Sequence, residues 1–165
     1  MLHDTVERVW VVVNTNFAAD MAAVITAKGL GAAGLTATAT IIKRQTAEIF
    51  AAKQATVPTI GVYGIRAVTQ AKDQGKRDSQ NTVGIDYYAT GMDASKLQKQ
   101  VEVAAEALLR SVDRIAGSGG GVFGAAVQDG SITVDLLDGY TEGAAPAYIG
   151  VATVTFPVDD REDGL

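Results

Sequence analysis

Enzymatic chemistry needs acids, bases and nucleophiles within reach of one another, and this 165-residue chain carries few candidates. It has one histidine, His3, close to the N-terminus, and no cysteine. A His-based triad or a multi-histidine metal site therefore lacks its parts. The lack of thiols removes disulfides, thiolate metal sites and a cysteine nucleophile, and it fits a reducing compartment. Carboxylates are present but scattered. Asp135 and Asp138 flank an apolar pair, and Asp159, Asp160, Glu162 and Asp163 cluster near the end of the chain. Such a cluster reads as a solvated tail before it reads as a Ca²⁺ or Mg²⁺ site. Asp135 reads as the outward residue of an alternating strand. No carboxylate spacing argues for a general acid–base pair. The chain is expected not to be an enzyme and to use no cofactor and no metal.

Two loops invite a binding role. Gly117-Ser118-Gly119-Gly120-Gly121 is rich in glycine. A phosphate-binding loop sits between a strand and the start of a helix, whereas this one follows a helix, and it lacks the Lys-Ser/Thr end of a P-loop. It is read as a turn that binds no nucleotide. The stretch Val68 to Thr82 holds Lys72, Asp73, Lys76, Arg77 and Asp78. It is read as an exposed hairpin loop, either simply solvated or projecting towards a partner or into a pore. In the second reading Lys72, Lys76 and Arg77 are the interface or lumen residues. The net charge of −5 argues against a surface that binds DNA by neutralising phosphates. It is compatible with a passive channel through which DNA slides.

These residues must be positioned by a scaffold, and its clearest part runs from Asn81 to Ala116. A strand, Asn81 to Thr90, turns at Gly91-Met92-Asp93 into an amphipathic helix. Leu97, Val101, Ala104, Ala105, Leu108, Val112 and Ile115 recur at three and four residues and form one apolar face. Asp93 is placed to cap the helix and Gly117 to end it. An N-terminal helix begins at an apparent capping box, Asp4 to Glu7, keeps its period through Trp10 and Phe17 to Ala27, and stops at Gly29. Trp10 is a core anchor in one reading and an interface anchor in the other.

Gly29 to Thr40 is read as a flexible loop, or as an arm that orders against a neighbouring subunit. Ile41 to Ala51 is open between a strand and a short helix around Ala47 to Lys53. Pro58 starts a strand, Thr59 to Arg66, with Ile60 and Val62 on one face. Val122 to Val127 and Ser131 to Leu137 are short strands around an Asp129-Gly130 turn. Ala147 to Val158 is the best strand, with Tyr148, Ala152, Val154 and Phe156 on one face and Ile149, Val151, Thr153 and Thr155 on the other. An acidic, exposed tail and the loop 138–146 complete the chain. The whole is one α+β domain, residues 1–165, with a mixed or antiparallel sheet packed against two amphipathic helices and long loops at about 29–40, 70–80 and 138–146. No stretch is expected to reach the length of a membrane span, and the N-terminus lacks the basic-then-apolar order of a secretion signal. The expectation is a soluble protein made in the cytoplasm.

The order of elements resembles a family. A long N-terminal helix is followed by Val57-Pro58-Thr59-Ile60-Gly61-Val62-Tyr63, a variable loop, and the outer strand Thr82-Val83-Gly84-Ile85-Asp86-Tyr87-Tyr88. The amphipathic helix comes next, and Tyr148 to Phe156 forms the last strand. This arrangement, over Thr5 to Val158, resembles the tail terminator proteins of long-tailed bacteriophages and their neck and head–tail joining relatives. The resemblance implies a non-enzymatic virion protein, assembled in the host cytoplasm, whose subunits form a ring, commonly a hexamer. The ring caps the tail tube and docks to neck or connector proteins, with DNA only as cargo passing through the lumen. Gly29 to Thr40 and Gly117 to Gly121 have no counterpart in that pattern. The competing readings are another neck or head-completion protein, or a small α+β enzyme or ligand-binding domain working through carboxylates.

Overall fold

The computed structural model describes residues 2–43, 58–71, 77–117, 125–127, 131–139 and 147–162. Helix α1 spans Leu2–Ala27 and helix α2 spans Ala94–Gly117. Among the described residues six strands form one mixed sheet: β1 (Thr40–Ile42), β2 (Thr59–Ala71), β3 (Arg77–Gly91), β4 (Ala125–Val127), β5 (Ser131–Gly139) and β6 (Ala147–Glu162). The order across the sheet is β1-β2-β3-β6, with β4 and β5 both pairing to the far side of β6. Among the described residues only β1 and β2 run parallel, and every other pair is antiparallel. The class is α+β.

Register explains the core. Ile60 faces Tyr87 and Val62 faces Ile85 across β2 and β3. On the other side Ile85 faces Val154 and Val83 faces Phe156. These residues share one side of the pleat, all are buried, and both helices cover that side. The α1 stripe Val9, Val13, Phe17, Met21 and Val24 is buried against α2, β2 and β3. Helix α2 buries its expected face from Leu97 through Val112, while the side chain of Ile115 lies outside the described residues. A second row on α2, namely Gln100, Val103, Ala107 and Ser111, is buried as well. Close approach is set by Gly150 of β6: a Cβ there would run into Val101 Cγ2 and sit 3.2 Å from Leu97 Cγ. Glycine lets α2 lie directly on the sheet.

The helix ends follow local chemistry. Asp93 accepts the Lys96 amide at 3.0 Å, the expected N-cap of α2. Helix α1 starts by Leu2, so Asp4 lies inside the first turn instead of capping it. At the other end Gly29 takes φ +65°. The Leu30 amide donates to Ile25 O at 2.9 Å and the Gly29 amide to Thr26 O at 3.0 Å. These two bonds make a Schellman cap, closed by the partly buried apolar residues Leu30 and Ile25.

Several expectations are corrected. The stretch read as a long loop around 70–80 is mostly strand: β2 continues to Ala71 and β3 begins at Arg77. The acidic tail is strand too, because Asp159, Asp160, Arg161 and Glu162 pair with Gln80, Ser79, Asp78 and Arg77. Strands β4 and β5 do not pair with each other; each uses β6 instead. Residues 34–39, read as a flexible loop or an arm ordered by a neighbour, are held by the chain itself. Leu35, Ala37 and Ala39 pack against the core, and Gln100 grips the backbone of Thr36. The expectation that no stretch is long enough to span a membrane also fails, since α1 is long and apolar enough by length and composition. That helix is nonetheless a core helix, with its buried stripe packed on α2 and the sheet. Of the strand-or-helix choice at Ile41 to Ala51, Thr40–Ile42 is strand, and residues 44–57 lie outside the described residues. The loops Ser118 to Gly121 and 140–146 lie outside them as well.

Candidate functional site

Arg77, one of the three residues singled out by charge, is the first residue of β3. Its backbone is in register with Ala71 on one side and Glu162 on the other. The next position pairs Asp78 with Arg161. Lys72 and Lys76 lie outside the described residues, in the connection between β2 and β3. Asp135 and Asp138 both lie on β5, facing Val151 and Tyr148 of β6 in backbone register.

The buried polar groups of the described residues hold elements together. Asp20 of α1, only 3% exposed, accepts hydrogen bonds from Ser111 Oγ at 3.2 Å and Arg114 Nε at 3.2 Å, and a further one from the terminal guanidinium nitrogen of Arg114. The carboxylate in turn holds the Arg114 guanidinium above its usual value. Gln100 donates from Nε2 to the Tyr87 hydroxyl at 2.7 Å and to Thr36 O at 2.7 Å. Its Oε1 accepts the Thr36 amide at 2.8 Å. One side-chain amide thereby copies a strand partner for the segment 34–39 and ties it to both α2 and β3. Burial pushes the Tyr87 phenol up to about 12, although the Gln100 hydrogen bond pulls the other way. Asn81 Nδ2 donates to Thr5 Oγ1 at 2.9 Å, while its Oδ1 is buried with no hydrogen-bond partner. None of these three groups was singled out in sequence, because each is a lone polar residue inside an apolar pattern. The alternation from Leu35 to Ile41 was the visible signal for the strand-like segment that Gln100 holds.

On the opposite side of the sheet the Tyr63 hydroxyl donates to Asp86 Oδ1 at 3.0 Å. A Cβ at Gly84 would stand 2.6 Å from Tyr63 Cζ, so the tyrosine ring lies across that glycine. At the β1 edge Trp10 is partly buried, its Nε1 directed at Ile41 O at 3.4 Å, and Lys43 sits 4.2 Å over its ring while bonding Glu7 at 2.5 Å. Trp10 serves as the core anchor that holds β1, and its ring contributes a cation–π contact. His3 is exposed in the first turn of α1. Among the described residues no three His, Cys, Asp or Glu side chains converge as a metal site would require.

The surface of α1 is unusual. From Val9 to Ala27 its one charged residue is the buried Asp20. The solvent side is made of Val11, Asn14, Thr15, Ala18, Ala19, Ala22, Ala23 and Thr26, all exposed. A surface helix ordinarily carries Lys, Glu or Arg there. Two of its polar groups are turned inward, Thr15 Oγ1 to Val11 O at 2.7 Å and Thr26 Oγ1 to Ala22 O at 2.9 Å. Neither protein-family models nor curated proteins match this chain.

Proposed function

We propose that this chain is a structural subunit of a bacteriophage tail terminator, forming a ring that caps the tail tube and joins it to the neck. The observation that carries the reading is the uncharged solvent face of α1, from Val11 to Thr26. An alanine- and threonine-lined face with its hydroxyls already satisfied is poor at holding water and suited to close contact with another protein surface. The α+β architecture and the order of its elements support the same reading, since they follow the order on which the resemblance to tail terminators rests. The described polar groups support it further: Asp20, Gln100 and Asn81 are spent on joining helices and strands.

In this reading the subunits form a homo-oligomer, of hexameric type, and the partners are the tail tube protein and the neck or connector proteins. DNA passes through the lumen as cargo. Lys72, Lys76 and Arg77, at the connection between β2 and β3, face the lumen or the tube. They act by steering and register, since exposed ion pairs contribute little each. The test is light scattering with negative-stain microscopy on the purified chain, alone and beside purified tail tubes. Rings, or tubes capped at a defined length, support the proposal. A chain that stays monomeric at high concentration and beside tubes refutes it. Changing Lys72, Lys76 and Arg77 to serine tests the loop without cutting the strands: folding is retained and joining is impaired. Normal capping by that variant removes these three residues from the mechanism.

A further inference from the structure

The two ends of the sheet differ in charge. The chain from Thr40 to Ala71, which supplies β1 and β2, holds four basic residues and one acidic one. The chain from Ala125 to Gly139, which supplies β4 and β5, holds three acidic residues and no basic one. Among the described residues both ends are open in part. Strand β1 covers β2 only at Thr59, Ile60 and Gly61. Among the described residues nothing pairs with that side of β2 from Val62 to Ala71, nor with the outer side of β4 or β5. On β2 the basic residue is Arg66, which is exposed. Lys43 after β1 is already engaged by Glu7 and Trp10. A bulge between Gly64 and Arg66 leaves Ile65 out of register and 50% exposed, an apolar residue beside the basic one. On β5 the charges are Asp135 and Asp138.

Strand direction fits the charges. Along the order β2, β3, β6, β5 every neighbour is antiparallel, so β5 runs opposite to β2. A second copy set edge to edge therefore continues the alternation, with its β2 antiparallel to the first copy's β5. Unlike surfaces joined head to tail form a closed ring when the rotation permits.

We infer that the ring junction is heterologous, the basic β2 edge around Ile65 and Arg66 of one copy docking on the acidic β4–β5 edge of the next. This rests on the ring reading above and names its contact. Strand addition supplies backbone hydrogen bonds, and the opposed charges reject the like-edge pairing that would give a two-fold dimer.

The test uses two full-length variants, Arg66→Glu and Asp135→Lys/Asp138→Lys, with circular dichroism to confirm folding. Each alone presents like charges at its own junctions, so self-association weakens by on the order of tenfold or more. An equimolar mixture restores both junctions in an alternating ring with an even number of subunits, and so does one chain carrying all three changes. Recovery of rings on mixing, seen by light scattering and microscopy, is the expected result. Rings that persist in either variant, or a mixture no better than its components, overturn the junction while leaving the ring itself standing. A parent chain that never forms rings instead overturns the ring reading. If a variant does not fold, the parent is titrated from about 0.05 to about 1 M salt, where screening of opposed edges loosens the ring. A ring indifferent to salt overturns the inference.

Discussion

Gln100→Met offers the sharpest probe of how this fold is tied together. The substitution keeps the side-chain length and removes the amide, so the cavity change is small. Three hydrogen bonds disappear: those to the Thr36 amide, to Thr36 O and to the Tyr87 hydroxyl. Tyr87 is 0% exposed, so its hydroxyl loses a partner that water cannot replace, at about 1–3 kcal/mol. Thr36 is exposed and its backbone groups can turn to solvent, at about 1 kcal/mol for each lost bond. The sum is about 3–5 kcal/mol in denaturant unfolding. Part of it belongs to Tyr87: in a Tyr87→Phe background the orphan hydroxyl is gone, and the cost of Gln100→Met falls by about 1–3 kcal/mol. Hydrogen exchange reads the same event locally, with the Thr36 amide losing protection. A variant within about 0.5 kcal/mol of the parent, or unchanged Thr36 protection, refutes the view that Gln100 fastens residues 34–39 to the core.

The Tyr87 phenol, held at about 12 against an unfolded value of 10.0, binds its proton more tightly in the folded state. Its contribution is therefore complete below pH 10 and is lost as pH rises towards 12, by about 3 kcal/mol at most. Stability measured across that range falls more steeply in the parent than in Tyr87→Phe, and equal slopes refute the assignment. Leu108→Ala removes a fully buried side chain and costs about 2–5 kcal/mol in thermal or denaturant unfolding. A variant that melts like the parent would show that Leu108 is not in the core. Gly150→Ala drives a methyl into Val101 and lowers stability by about 1–3 kcal/mol; pairing it with Val101→Ala recovers part of that loss.

Residue pattern made the two helices and the main strands readable because each has a long apolar period. Leu97 to Val112 has a 3.6-residue repeat and Ala152 to Phe156 a two-residue repeat, and both faces turn inward as their spacing requires, whereas Tyr148, expected on the same face, is exposed. The strand extensions were hidden by polarity. Gln70 to Gln80 reads as a loop by composition, yet cross-strand pairs such as Arg77 with Glu162 give polar residues a place in a sheet. Partners so distant in sequence leave no local signal. Of the site residues, Arg77 was legible as a charge but not as the start of a strand. The bare face of α1 was masked for the opposite reason, because alanine and threonine fit a helix without declaring which side is covered. Gln100, Asp20 and Asn81 were invisible because their value lies in contacts that span 64, 91 and 76 positions of the chain.

The place of β6 bears on how the molecule comes into being. It lies between β3 on one side and β4 and β5 on the other, and it is synthesised after all three. Until it emerges from the ribosome, β3 has one bare edge and β4 and β5 have no described strand to pair with. The chain must wait with its helices able to form early and its sheet unfinished. Completion then demands contacts between residues far apart in sequence, which is slow and exposes strand edges to neighbouring chains meanwhile. Expression at lower temperature, or with holdase chaperones present during synthesis, should therefore raise the yield of soluble protein.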